Sequence, residues 1–136
     1  MIIIEPVREW KGAAVLIYGP SYVSDGVEIG KDTKIGALCD ICADVVIGKG
    51  VNIQTHVTVP TGVHIGDGTF IGPGVHIFND KYMNGNLQPP KIGKYCRIGG
   101  GTSILPGVVV GDNVFIGAVA LITKDVPDGT KVVGKW

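Results

Sequence analysis

Three histidines, two cysteines three positions apart and one long polar segment are the parts of this chain with chemistry to offer. Imidazole exchanges its proton near neutral pH, so a general base would most naturally be His56, His64 or His76. His56 and His76 lead, and His76 stands directly before Ile77 and the polar segment. Cys39 and Cys42 have the C-x-x-C spacing of redox and metal centres. The polar segment carries Asn79, Asp80, Lys81, Tyr82, Asn84, Asn86 and Gln88, and Pro89-Pro90 stiffens its return. Amides and a carboxylate so grouped suit the holding and orienting of a polar small molecule. Which of these chemistries is real depends on what positions the residues.

The positioning element is a six-residue beat. From Val23 it runs through Ile29, Ile35, Ile41, Ile47, Ile53, Val59, Ile65, Ile71 and Ile77, and resumes at Ile92, Ile98, Ile104, Val110, Ile116 and Ile122. All sixteen are Ile or Val, although Ile, Val and Leu make only 41 of 136 residues, so chance is excluded. Four residues after each stands a second small or branched side chain, from Val27 and Thr33 to Ala120 and Val126, with Lys81 the one exception. A period of six fits neither a helix stripe nor simple strand alternation. It fits a short strand and a corner, three of which close a triangular coil of eighteen residues. The fold expected is therefore all-β, a left-handed parallel β-helix of hexapeptide repeats with one loop protruding near residues 78–91.

Glycine follows the beat residue at most corners, where a Cβ would clash. The exceptions include Ser24, Cys42, Pro60 and Phe78, eighteen apart, and then Leu105 and Thr123, eighteen apart again. Leu105 lies 27 after Phe78, one coil plus nine, so a nine-residue excursion leaving after Phe78 keeps this glycine-free corner continuous. Three inserted residues would break it. Residues 1–22 lie outside the beat and read as an N-terminal cap over the open end of a coil occupying 23–126; residues 127–136 close the other end, with Pro127 expected to stop the ladder. All of it is one domain.

The frame also sorts the cysteines and histidines. Cys39 and Cys96 fall at the inward fifth position and Cys42 on the glycine-free corner, so packing is the expectation rather than redox chemistry. None of the histidines falls at an inward position, and each reads first as a surface residue. Twelve Lys+Arg balance twelve Asp+Glu, which gives no field to attract nucleic acid or an anionic membrane. The start "MIIIEP" has no secretory h-region, and three cysteines without one point to reduced thiols and a cytoplasmic location.

The hexads over residues 23 to 134 resemble those of the hexapeptide-repeat acyltransferases. "GPGVHIFNDKY" (72–82) and "ITKDVPDGTKVVG" (122–134) resemble segments of bacterial nucleotide-sugar N-acetyltransferases. The resemblance implies an acetyl-CoA-dependent enzyme that acetylates an amino group on a UDP- or dTDP-linked deoxysugar. It also implies a homotrimer with the cofactor in a groove between neighbouring prisms. By the same likeness Asn79 stands beside the acceptor amine and Asp80 holds the sugar. Main-chain N–H groups of Gly99, Gly100 and Gly101, or of Gly117 and Ala118, would serve the oxyanion and the pantetheine, and Lys124 would meet CoA phosphates.

Where relatives read Gly-Ala-Gly-Ala this chain reads Gly117-Ala118-Val119-Ala120, so Val119 either narrows the cofactor groove or points away from it. The best-matching relatives require no side-chain base, which lessens the claim of His56 and His76. A three-histidine zinc site of the kind in β-helical carbonic anhydrases is not expected, because the histidines stand eight and twelve apart with no pair at five. The other readings are an O-acetyltransferase on a sugar, whose prism would look the same, and a non-catalytic scaffold, which would ignore acetyl-CoA.

Overall fold

The computed structural model describes residues 1–136 throughout and contains twenty short strands and no helix. They stack into three sheets, here called face 1 (seven strands), face 2 (five) and face 3 (eight). Within each face a strand pairs in parallel with the one eighteen residues on. Asp40 lies beside Thr58 on face 1, Glu28 beside Val46 on face 2, and Lys34 beside Asn52 on face 3. The chain visits the faces in that order and rises one ladder spacing per circuit, which is the left-handed parallel β-helix.

The reason is legible in burial. Every beat residue is at most 7% exposed, and so is every fifth-position residue except the exposed Lys81. A strand of two residues is too short to be stable alone, so the column of stacked Ile and Val across coils supplies the stabilisation, about 1.5–3 kcal/mol for each large side chain fully buried. The fifth position is more than a small apolar slot. Thr33 Oγ1 donates to Gly48 O (2.8 Å) and Thr69 Oγ1 to Gly93 O (2.7 Å), while Cys96 Sγ lies 3.0 Å from Gly111 O. A buried hydroxyl or thiol there satisfies a corner carbonyl of the next coil.

Register fixes the length of the excursion. Phe70 pairs with Arg97, 27 residues on, so nine residues are added between Ile77 and Ile92 and the coil resumes in phase. The glycine-free corner is unbroken, since Val23 stacks on Ile41, Ile77 on Ile104 and Ile104 on Ile122.

Both ends depart from the expected boundaries. Parallel pairing begins before residue 23: Ala13–Ile17 already pairs with Lys34–Ile35, and Ile17, six before Val23, is fully buried. The cap itself is an antiparallel strand, Ile2–Ile3 against Ser21–Val23, and a hairpin of Val7–Trp10 with Ala13–Ile17. Trp10 is buried there, its Nε1 donating to Val27 O at 2.8 Å. At the far end Pro127 does not stop the ladder. Lys131–Val132 pairs with Phe115–Ile116 on face 3, because a proline confined to the corner removes no face hydrogen bond.

Candidate functional site

The three corners differ in how they treat one backbone group. At most corners the ladder uses the N–H of the residue after the beat residue and of the residue two further on, and skips the one between. On the third corner, between faces 3 and 1, Gly99 donates to Ile116 O (2.8 Å) and Gly101 to Pro73 O (3.0 Å), while the Gly100 N–H donates to no protein group. Gly117 donates to Val132 O (2.8 Å), and the Ala118 N–H is likewise unengaged. So of the five residues expected to offer main-chain donors here, only Gly100 and Ala118 do. The N–H groups of Gly99, Gly101 and Gly117 hold the coils together.

On the second corner, between faces 2 and 3, three of the skipped groups are covered, while the N–H groups of Lys31 and Asp67 are unengaged. Lys49, Lys94 and Asp112 N–H donate to the carboxylates of Asp67 (2.9 Å), Asp112 (2.8 Å) and Asp128 (2.7 Å) on the coil that follows. The first corner, between faces 1 and 2, has no such aspartates, and its Asn79 N–H is unengaged.

The excursion rises from that first corner. Asn79 is half-buried and its Nδ2 donates to Thr61 O at 3.0 Å, while Gln88 N–H donates to Asn79 O (2.6 Å). A carbonyl can accept only from the NH₂ half of the amide, so the side-chain orientation is fixed and Oδ1 is left as an acceptor. Asp80 has a structural task as well: its two oxygens accept the N–H groups of Asn84 (3.2 Å) and Gly85 (2.8 Å) and fold the loop tip. The return is seated by Pro89 against Gly62, where a Cβ would come within 2.9 Å of the proline ring. Beneath the loop lies a cleft of about 320 Å³ bounded by Phe78, Asp80, Lys81, Met83, Leu105 and Thr123. It has an apolar floor with an acid and a base at the rim.

On the third corner one column of residues takes left-handed backbone: Leu38, His56, Gly74, Gly101 and Val119, with φ from 58° to 70°. Glycine at 74 and 101 leaves a notch two coils long, with His56 at one end and Val119 at the other. A β-branched residue at positive φ is strained. Val119 is 78% exposed, and its Cγ2 lies 3.5 Å from the place a Cβ on Gly101 would occupy, so it leans over the notch.

The histidines are dispersed: His56 on the third corner, His64 on face 2 and His76 on face 1. His76 touches the site region only through Phe78, ring centroids 6.3 Å apart. Neither His56 nor His76 has a side-chain hydrogen bond to orient its ring. Lys124 Nζ sits 5.2 Å over the Trp136 ring, whose Nε1 donates to Asp125 O. The cysteines are free. Burial raises the pKa of Cys39 and Cys96, and Cys42 is pushed up to about 11 by desolvation and then by the Asp40 carboxylate. None is poised as a thiolate. Sequence reasoning missed Thr61, whose carbonyl sets Asn79, and the aspartates of the second corner. Stepping from Asp67 by one 27-residue and one 18-residue coil reaches Asp112, but Asp128 lies only 16 further on and falls outside that count.

The bacterial transferase hexapeptide (six repeats) profile matches residues 26–61, 44–79 and 89–124. Nodulation protein L of Rhizobium meliloti is 45% identical over 47 residues, 35% of this chain and 26% of that protein. Among solved structures, the acetyltransferase domain of PglB from Neisseria gonorrhoeae with acetyl coenzyme A has a TM-score of 0.79 and 32% identity, over 88% of this chain and 54% of that one. PerB from Caulobacter crescentus, solved with CoA and GDP-perosamine, has a TM-score of 0.80 at 24% identity, over 90% of this chain and 55% of that one. The chain thus spans about half the length of those two structures, and its match to Nodulation protein L about a quarter of that protein.

Proposed function

We propose that this chain, which belongs to the bacterial transferase hexapeptide family, transfers an acetyl group from acetyl-CoA to an amino group of a nucleotide-linked amino-deoxysugar. The observation that carries the reading is the fixed amide of Asn79. With Nδ2 donating to Thr61 O, its Oδ1 accepts an N–H of the incoming amine and points the nitrogen lone pair away from itself.

The neutral amine attacks the thioester carbonyl, a C–N bond forms and the carbonyl oxygen takes negative charge. An unengaged main-chain N–H, from Asn79, Gly100 or Ala118, stabilises that oxyanion. The C–S bond then breaks, and the proton from nitrogen goes to the departing thiolate, which leaves as CoA thiol. No side-chain base is needed for that balance, in keeping with the unsupported rings of His56 and His76.

Acetyl-CoA is the co-substrate, as it is the molecule bound in PglB, and no metal takes part in this scheme. A homotrimer would set the first corner of one prism against the third corner of the next, joining the Asn79 side of the site to the Gly100–Ala118 side. UDP- and dTDP-linked sugars are the acceptors to try first, and the cytoplasm, where nucleotide sugars are made, is the expected location.

The test is thiol release from acetyl-CoA with UDP- and dTDP-linked 3-amino and 4-amino sugars, beside an Asn79→Ala variant. Turnover with one acceptor, lost in the variant, is the expected result. Absence of acetyl-CoA binding would leave a scaffold.

A further inference from the structure

Face 3 carries on its outer surface a column that no other face has. In register along it stand Asn52, Phe70, Arg97, Phe115 and Lys131, alternately aromatic and cationic from Phe70 onward. The Arg97 guanidinium carbon lies 5.3 Å from the Phe115 ring centroid and Lys131 Nζ lies 5.6 Å from it, so one ring serves two cations. Neither cation has a carboxylate partner, since the single ion pair in the molecule joins the N-terminal amine to Asp25 at 3.5 Å. The acids nearest in sequence, Asp112 and Asp128, are turned to the second corner, where they accept backbone N–H groups. Two like charges are therefore held one coil to either side of a ring, on an exposed face, without neutralisation.

A shallow cleft of about 230 Å³ runs beside this column, bounded by Phe70, Arg97, Phe115, Gly99, Gly117 and Ala118. It opens on the third corner, where the Ala118 N–H is unengaged. Flat aromatic faces suit stacking of a heterocyclic base, and paired cations suit phosphate, with arginine able to grip two oxygens at once. Both features within two coils describe a nucleotide.

We propose that the Phe70–Arg97–Phe115–Lys131 column binds the phosphorylated nucleoside part of a substrate, the base against a phenylalanine ring and the phosphates on Arg97 and Lys131. The inference rests on the acetyltransferase reading only for where that nucleotide comes from. It is the nucleoside diphosphate of the acceptor, or the 3′-phosphorylated adenosine end of the donor.

Calorimetric titration of the whole chain with UDP, dTDP, GDP and adenosine 3′,5′-bisphosphate separates the sources. The variants are Arg97→Gln/Lys131→Gln and Phe115→Leu, all exposed, with thermal melts to confirm folding. The double variant should lose tenfold or more in affinity and show a weaker salt dependence. Phe115→Leu should weaken the nucleotides while leaving inorganic pyrophosphate unchanged. Binding of the pyrimidine or guanine diphosphates assigns the column to the acceptor, and binding of the adenosine bisphosphate assigns it to the donor. No nucleotide binding by the native chain, or binding that ignores all three substitutions, overturns the proposal. Those outcomes are distinct from failure of the acetyltransferase reading, which is decided by thiol release and by Asn79→Ala.

Discussion

The second corner and the other two are made of the same backbone, yet one is capped at three of its coils and the others at none. On the second corner, aspartates at 67, 112 and 128 reach back one coil and cover the N–H that the ladder skips. On the first and third corners the equivalent groups at Asn79, Gly100 and Ala118 are uncovered. A stacked coil gains from every cap it can have, because an N–H left without a partner forgoes about 1 kcal/mol. The capped corner itself leaves Lys31 and Asp67 N–H uncovered, so an open N–H singles out Asn79, Gly100 and Ala118 only together with what surrounds them. The excursion and the glycine notch lie on just those two corners.

The largest expected effect is on the open side. Asn79→Ala should lower kcat/KM by about 100-fold, because it frees the amine to take unproductive orientations. Its melting temperature should fall only by what the lost hydrogen bond to Thr61 O accounts for, about 1 kcal/mol or about 3 °C. A variant that melts much earlier than that while keeping its turnover per folded molecule would make Asn79 a loop fastener and nothing more.

The mirror experiment is on the capped corner. Asp112→Ala removes the acceptor of the Lys94 N–H and should cost about 1.5 kcal/mol of stability, seen as a melting midpoint about 4 °C lower. Turnover per folded molecule should not change. If Asp112→Ala abolished activity while Asn79→Ala did not, the assignment of open and capped corners would be reversed.

A smaller effect is expected at Val119. Replacing it with glycine relieves a β-branched residue at φ 58° at the cost of unfolded-chain entropy, for a net gain of about 0.5 kcal/mol. The same change widens the notch over Gly101, so KM for acetyl-CoA should fall. An unchanged KM would move the donor away from the third corner.

The smallest effect concerns Cys42, on the first corner below the excursion. Its folded pKa, pushed up to about 11, exceeds the ordinary 9.0, so the folded state holds a proton that the unfolded chain releases first. That contribution is fully present below pH 9 and is lost as pH rises toward 11. Denaturant titrations of the native chain and Cys42→Ser should diverge only in that window, with the native chain the one that weakens. Parallel curves through pH 11 would mean that the fold does not hold the thiol in its protonated form.

How much of this was readable in advance follows from what a one-dimensional pattern can carry. Burial depends on period, and period is visible, so the sixteen beat positions and the nine-residue excursion could be read from spacing alone. The ends were harder. Ile17 keeps the beat but sits beside a hairpin, and the ladder past Pro127 depends on a proline lying at a corner rather than on a face. The site was harder still. Asn79 could be named by resemblance, but Thr61, which aims it, acts through a backbone carbonyl, and any residue type there would look the same. Arg97, Phe115 and Lys131 become a cluster only when residues eighteen and sixteen apart are stacked face to face.

The excursion leaves and returns at one corner, and the coils above and below it remain in phase. Its length is therefore mechanically free: a loop of another size, spliced between Phe78 and Lys91 and returning to the same corner, would disturb no beat residue. Under the proposed function, exchange of this one segment would change the acceptor while the rest of the prism is inherited intact, much as a tool holder takes different bits.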